Sequence, residues 1–167
     1  MARAIFLRAI LAFLALPAVV AGLVPWLLLS SDRWRMRGTS LGWPILFVAA
    51  CLLLWCVRDF YKIGKGTLAP WDPPKKLVVV GLYRFIRNPM YVGVLGSVAG
   101  WSLIAGSLVL GIYTIVLAIA FHLRVIFYEE PTLARQFGTD WAQYRETVPR
   151  WIPKPHAIAL WRSSRKS

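Results

Sequence analysis

The stretch GLYRFIRNPMYVG, residues 81–93, carries a dense set of polar side chains directly into an apolar run. These side chains, which we call the first polar cluster, are Tyr83, Arg84, Arg87, Asn88 and Tyr91. A second polar cluster begins with Tyr-Glu-Glu at 128–130 and continues through FGTDWAQYRETVPRWIP at 137–153. The two clusters lie at the same end of one predicted apolar hairpin. We therefore expect them to form a ligand site at a membrane face.

The apolar composition predicts an integral membrane protein. The chain has 167 residues, a mean hydropathy of +0.58 and 58% hydrophobic residues, which is too apolar for a soluble domain of this size. Four runs approach the roughly 20 apolar residues that a spanning helix needs, at 5–29, 41–57, 89–105 and 107–127. The last two are separated only by Gly106, which predicts a tight antiparallel hairpin. The expected fold is a single all-α domain, a bundle of four transmembrane helices.

The amino-terminal run admits two interpretations. Arg3 and Arg8 before an apolar stretch resemble a secretory signal. The apolar stretch continues through Leu29, however, which is longer than a typical signal core, so we expect a retained first span. Pro17 and Pro25 would kink it.

Positive charges predict the orientation. Of the 20 lysines and arginines, 17 lie on the side that holds both termini and the loop before residue 89, and three (Arg33, Arg35 and Arg37) lie on the other. The positive-inside rule then places both termini and both polar clusters in the cytoplasm. The compact four-span form is typical of a prokaryotic inner membrane protein.

Two other classes of site are not predicted. The formal net charge of +13 is typical of residues that fix topology and attract anionic lipid, and no nucleic-acid motif accompanies it. Cys51 and Cys56 are five residues apart on different faces of one predicted helix, so neither a disulfide nor a metal site is expected.

The segments around the hairpin have their own local signals. Three prolines (Pro70, Pro73 and Pro74) exclude a continuous helix in the loop 59–88, residues 77–80 suit an extended piece, and Gly81 suits a sharp turn. Pro89 suits the first position of the third span. After Glu130, apolar residues recur at helical spacing and predict an amphipathic helix at the membrane interface. We expect this helix to begin near Pro131, to be weakened at Gly138, and to end at Pro149 and Pro153.

Each polar cluster has a structural alternative to a ligand site. Arginines such as Arg84 and Arg87 commonly extend to lipid headgroups, and the first cluster suits an anchor as well as a site. Glu129 and Glu130 end an apolar helix, where the helix dipole disfavours carboxylates, so either a bound cation or a solvated junction must explain them. His122 on its own favours packing over a role as a base.

Small residues in the third span predict close helix packing. Gly93 and Ser97 are four residues apart, as are Gly96 and Gly100. Such pairs allow two membrane helices to approach closely, and they also leave room for a ligand between helices.

The residues 66–153 resemble the isoprenylcysteine carboxyl methyltransferase family and, more broadly, membrane phospholipid methyltransferases. The matching parts are GLYRFIRNPMYVG, the apolar hairpin, the pair Glu129–Glu130, and then Phe-Gly, Tyr144, Val-Pro-Arg and Ile-Pro. The resemblance implies a methyltransferase that uses S-adenosylmethionine, bound above the helices on the cytosolic side. It also implies a lipid-like methyl acceptor that enters from the bilayer.

The resemblance further implies which residues bind the cofactor and the acceptor. The cofactor regions are 66–91 and 124–153. The implied cofactor-binding residues are Lys75, Lys76, Leu77, Val78, Tyr83, Asn88, Pro89, Met90, Tyr91, Glu129 and Glu130. Arg124, Glu129 and Arg87 are the implied catalytic residues, with Arg124 positioned to contact the substrate.

Two positions depart from the family pattern. The family histidine before proline is Asn88 here, which can donate and accept a hydrogen bond but cannot carry charge. Arg124 also lies one residue early relative to the glutamate. The contact to the cofactor is therefore expected to persist at Asn88, without any proton transfer.

Three functions are compatible with the sequence. A carboxylate acceptor is already ionised at neutral pH and needs only a cation such as Arg124 or Arg87 to position it. An amine acceptor would have to lose a proton, and Glu129 or Glu130 would then be the base. A non-enzymatic four-helix membrane adaptor is the third. We favour O-methylation of an isoprenylcysteine-type carboxylate over N-methylation of a phospholipid amine.

Overall fold

The computed structural model describes residues 14–33, 35–59 and 77–153, and these residues are helical or irregular, without a strand. Helix α1 is π-helical over Leu14–Leu23 and continues as an α-helix over Val24–Ser31. Helix α2 is Gly42–Asp59, and a 3₁₀ turn, Gly81–Arg84, precedes α3, Pro89–Ala105. Helix α4, Leu108–Arg124, continues through a π-helical turn, Val125–Glu129, into α5, Glu130–Thr147. The predicted all-α class is confirmed for the described residues.

Two of the described helices are long and apolar enough to cross a membrane. They are α2 and the continuous helix Leu108–Thr147, and the apolar helices Pro17–Ser31 and Pro89–Ala105 are shorter. The third predicted run, 89–105, coincides with α3, and the second, 41–57, extends in α2 to Asp59. Large apolar side chains face outward on α2 and α4, among them Phe47, Val48, Ile115 and Val116. Such a surface is suited to contact with lipid.

Close packing between α2 and α3 depends on glycine, as the spacing predicts. A Cβ at Gly96 would lie 2.9 Å from the Cβ of Ala49, and one at Gly100 would lie 2.9 Å from the Cβ of Leu46. Contacts that short do not occur between real Cβ atoms, so α2 approaches α3 only because these positions lack side chains. The small residues therefore serve helix packing.

The tight hairpin between α3 and α4 is confirmed. Gly106 ends α3 in the left-handed conformation, with φ 62°, and the Ser107 hydroxyl accepts a hydrogen bond from the Leu110 N–H to cap α4. The Ser107 hydroxyl in turn donates to Asp32, and the Met36 N–H donates to the Gly106 carbonyl at 2.9 Å. The connection between α1 and α2 thus covers the turn.

As expected, α5 begins next to Pro131, at Glu130, but no break separates it from α4. The backbone stays helical from Arg124 through Glu130, and the Glu130 N–H bonds the Val125 carbonyl five residues back. A proline ring clashes with the carbonyl four residues earlier in a regular helix, and the wider π-helical turn just before Pro131 relieves that clash. The interruption comes instead at Gly138, with φ 50° and ψ −119°.

The residues before α3 pack against the end of α2. Val78 and Tyr83 are buried with Cys56, whereas Cys51 on another face of α2 is exposed. Gly81 has φ 54°, which confirms the predicted turn, and a side chain there would collide with the buried carboxylate of Asp59. Residues 66–76, with Lys75 and Lys76, and the first part of the run 5–29 lie outside the described residues.

Candidate functional site

The π-helical turn separates the two adjacent glutamates of the second polar cluster. Glu129 is its last residue and Glu130 is the first residue of α5. Consecutive helical residues point about 100° apart, so neighbouring side chains reach different surroundings. Glu129 meets Tyr91, and Glu130 meets Arg87. The two polar clusters therefore come together, as predicted.

Glu129 is the centre of the more open group, which we call the Glu129 cluster (Tyr91, Arg124 and Glu129). The Tyr91 hydroxyl and the Arg124 Nε both donate to Glu129 Oε1, the latter at 2.9 Å. The side chains of Arg124 and Glu129 remain 40% and 26% exposed. The cluster thus offers a guanidinium, a carboxylate and a phenol within reach of a ligand.

Aromatic rings hold Tyr91 and Arg124 in place. The Tyr91 ring stacks on Phe121 of α4 with centroids 4.3 Å apart. The Trp151 ring contacts the Tyr91 ring at a tilt, with centroids 6.4 Å apart. The Arg124 guanidinium lies 5.5 Å from the centroid of the Tyr128 ring. Such contacts favour one direction for each side chain and reduce the loss of freedom when a ligand binds.

Glu130 is the centre of a second, more buried group, which we call the Glu130 clamp (Arg87, Glu130 and Arg150). Arg87 Nη1 donates to Glu130 Oε1 at 2.8 Å. Arg150 donates through Nε to Oε1 at 2.7 Å and through Nη2 to Oε2 at 3.0 Å. Arg87 and Glu130 are only 9% and 11% exposed. This arrangement suits a structural ion pair.

The clamp also joins the carboxy-terminal segment, residues 148–153, to the residues before α3. The Arg87 N–H donates to the Pro149 carbonyl at 2.9 Å, and the Asn88 side-chain amide donates to the Arg150 carbonyl at 3.2 Å. The Tyr144 hydroxyl donates to the Tyr83 carbonyl at 2.7 Å. The side-chain amide of Asn88 therefore tethers the carboxy-terminal segment to the start of α3.

Burial and charge shift several pKa values in this region. Burial lowers the pKa of Arg87, with Glu130 opposing the shift, whereas the hydrogen bond to Glu130 raises the pKa of Arg150. The two arginines differ because Arg87 is more deeply buried. Burial, followed by the charges of neighbours that include Glu129, raises the pKa of Tyr83 well above its ordinary value. Tyr83 thus stays a neutral phenol.

The remaining predicted site residues line the same end of the helices. Leu77 packs against the buried cluster that contains Trp141 and Tyr144 of α5, and Met90 packs against two buried clusters, one with Val94 and one with Tyr83. Pro89 is buried at the start of α3. Their roles toward a cofactor stay predictions. The catalytic role of Arg87 also stays a prediction: its guanidinium donates to Glu130 and lies 5.6 Å from the centroid of the Trp141 ring.

Sequence reasoning missed three residues that the structure brings to the site. Arg150 completes the Glu130 clamp, Tyr144 bonds the Tyr83 backbone, and Trp151 contacts Tyr91. The available signal was the Val-Pro-Arg-Trp sequence at 148–151, in which a cation and an indole follow a proline that ends the helix. In the sequence, Tyr144 and Arg150 stand out only as parts of the family pattern, which does not predict the groups that they contact.

Comparisons of the sequence with known proteins identify its family. The sequence profile described as phospholipid methyltransferase matches residues 39–140, which is more than half of the chain. A protein of Schizosaccharomyces pombe named protein-S-isoprenylcysteine O-methyltransferase is 34% identical over 77 residues. That match covers 46% of this chain and 33% of the relative, so it spans about a third of the relative's length. No solved structure matches the chain.

Proposed function

The chain belongs to the phospholipid methyltransferase family, and from this premise we propose that it uses S-adenosylmethionine to methylate a lipid-like carboxylate of the isoprenylcysteine type. The observation that carries the proposal is the Glu129 cluster, because it presents both charge signs at one accessible place beside the helices. The name of the fission yeast relative supports the choice of a carboxylate acceptor.

The charged groups of the Glu129 cluster fit the proposed cofactor. The Glu129 carboxylate is matched to an ammonium group, and the Tyr91 hydroxyl is a donor for a carboxylate. S-adenosylmethionine supplies, when bound, a methyl group already activated by its sulfonium. The protein then has to align the acceptor, hold it in place and exclude water.

Arg124 is the residue that we assign to the acceptor carboxylate. A carboxylate is ionised at neutral pH, so methylation at its oxygen requires no base. Arg124 remains 40% exposed while its Nε is held by Glu129, and the rest of its planar donor set is suited to a carboxylate. In this role Glu129 orients the Arg124 guanidinium toward the acceptor.

The proposed setting is a bundle of four spans whose site faces the cytoplasm. The exposed apolar faces of α2 and α4 would lie in lipid, and the two polar clusters at the inner boundary. The acceptor's apolar chain would enter between helices from the bilayer. The positive charges of the loops support this orientation.

A phospholipid amine is the second candidate acceptor, favoured by the description of the matching family. An amine nucleophile must be neutral before it attacks the methyl group. Glu129 would then accept the proton, and Arg124 would hold the carboxylate in place through its hydrogen bond. The two acceptors thus assign different roles to the same pair of side chains.

Two measurements test the proposal. Isothermal titration of the purified protein in detergent with S-adenosylmethionine should release or absorb heat, and the ligand should raise the melting temperature. Radiolabelled cofactor should then transfer its methyl group to N-acetyl-S-farnesylcysteine and give a base-labile ester.

The outcomes separate the alternatives. A base-stable product on phosphatidylethanolamine vesicles, with none on the farnesylcysteine, would favour the amine acceptor. A folded protein that neither binds nor is stabilised by the cofactor would instead support a non-enzymatic membrane adaptor.

A further inference from the structure

The carboxy-terminal segment connects both helices of the hairpin at the polar end. It is bound to the residues before α3 through Arg87 and Asn88, and to the start of α5 through Glu130. A further bond reaches α4, where the Trp151 indole N–H donates to His122 Nδ1 at 3.1 Å. The segment therefore lies across the end of the α3–α4 pair.

The bond between Trp151 and His122 determines which imidazole nitrogen carries the proton. An indole N–H only donates, so His122 Nδ1 must have a free lone pair, and in the neutral ring the proton is then on Nε2. The two rings lie 6.1 Å apart at 37°, so they also pack against each other. Rotation or removal of the imidazole would release Trp151.

Trp151 is at the same time an aromatic contact of Tyr91. Phe121 stacks on the Tyr91 ring from α4, and Trp151 lies against it from the carboxy-terminal segment. The hydroxyl of Tyr91 donates to Glu129. Displacement of the indole would remove the contact on that side of the Tyr91 ring, and the Tyr91 hydroxyl would be held less firmly toward Glu129.

We propose that Trp151 and His122 form a positioning pair for the Glu129 cluster, in which the imidazole holds the indole and the indole holds Tyr91 on Glu129. The inference rests on the proposed function, because it gives the pair its role through the cofactor and acceptor site. The pair acts through Tyr91, so its loss should change binding affinity before it changes the rate of the chemical step.

The indole N–H can be separated from the indole ring by substitution. Trp151→Phe keeps an aromatic ring against Tyr91 but removes the donor, and His122→Phe keeps bulk but removes the acceptor. His122→Asn retains an oxygen near the position of Nδ1 and should recover most of the loss. Trp43→Phe, on the exposed surface of α2, is the matched control.

Titration with S-adenosylmethionine in detergent and the KM for N-acetyl-S-farnesylcysteine are the functional readouts. Loss of one hydrogen bond of this kind corresponds to a change of about fivefold in a dissociation constant. Trp151→Phe and His122→Phe should therefore each weaken the cofactor affinity, or raise the KM, by about that factor. The double variant should show no further loss, and kcat should fall less than affinity. Melting temperatures should stay near that of Trp43→Phe.

An independent readout does not depend on enzyme activity. Nitrogen-15 spectra of histidine-labelled protein should show His122 Nδ1 unprotonated in the wild type and a tautomer mixture in Trp151→Phe. The His122→Asn spectrum assigns the signal, since His156 is the other histidine.

The two failures can be told apart. Wild-type protein that neither binds the cofactor nor transfers a methyl group would contradict the proposed function. Wild-type protein that does both, with unchanged affinities in the phenylalanine variants or additive losses in the double variant, would overturn the positioning pair alone. A protonated Nδ1 in the wild type would overturn it as well.

Discussion

Glu129 and Glu130 are adjacent in the chain, but they have very different surroundings. Glu130 is 11% exposed and is held by two arginines through three hydrogen bonds, whereas Glu129 is 26% exposed and is held through one oxygen by Tyr91 and Arg124. The first arrangement leaves little room for a ligand and the second leaves a cation accessible. The difference predicts that substitution of Glu130 affects mainly stability and that substitution of Glu129 affects mainly ligand binding.

The largest effect that this comparison predicts is on stability. Glu130→Ala leaves the buried guanidinium of Arg87 without its counter-charge, which costs about 3–5 kcal/mol when a buried pair loses one partner. Thermal unfolding in detergent should show a large fall in melting temperature. The control is Glu146→Ala, an exposed glutamate on the same helix, which should change stability by less than about 0.5 kcal/mol. Equal melting temperatures for the two variants would contradict the structural role of the clamp.

The next effect is on ligand affinity. Glu129→Gln removes the charge that pairs with Arg124. Because a hydrogen bond to a charged group corresponds to about a tenfold or larger change in a dissociation constant, the cofactor affinity should fall by at least that factor. Titration with S-adenosylmethionine should show that loss. Stability should change by less than about 1 kcal/mol, because the pair is partly exposed. A variant that unfolds like Glu130→Ala, or that binds like the wild type, would remove the contrast between the two glutamates.

A smaller effect is expected at the acceptor. Arg124→Lys keeps the positive charge but loses the planar set of donors, so the KM for N-acetyl-S-farnesylcysteine should rise by roughly threefold to tenfold. The cofactor affinity should change less than the acceptor KM. The control is Arg135→Lys on the exposed surface of α5, which should leave both values as in the wild type. An unchanged acceptor KM in Arg124→Lys would assign the acceptor to another cation.

The smallest effect is expected at Asn88. Asn88→His retains a donor for the Arg150 carbonyl. The cofactor affinity should therefore stay within about twofold of the wild type, and the melting temperature should stay near that of the wild type. Asn88→Ala removes the donor and should cost about 1 kcal/mol of stability. The comparison of these two variants in thermal unfolding checks whether the side chain tethers the carboxy-terminal segment. Equal losses would mean that the amide has a role other than this bond.

Much of the helical layout could be predicted from sequence because it depends on local signals. Proline at position 89 and glycine at positions 81 and 106 each have a single backbone role, and the structure shows them in it. The long apolar runs likewise require helices in any apolar surrounding. These features are determined within a few residues of the chain.

The partners of the polar side chains could not be predicted in the same way. Glu129 and Glu130 carry the same group at consecutive positions, and only the turn between Arg124 and Glu130 decides which arginine each one meets. Arg150 is 20 residues from Glu130 in sequence, and its contact depends on the break at Gly138 and the return of the chain after α5. Pairings over such distances require the tertiary structure.

The wide turn at Val125–Glu129 limits which insertions and deletions this protein tolerates. Deleting one residue there would leave the hydropathy profile nearly unchanged, yet it would rotate everything downstream by about 100° relative to α4. Trp141 and Tyr144 would then face away from Leu77 and Tyr83, and the reach of both carboxylates would be altered together. Chain length between Arg124 and Glu130 is therefore expected to be constrained more tightly than the identity of the residues that fill it.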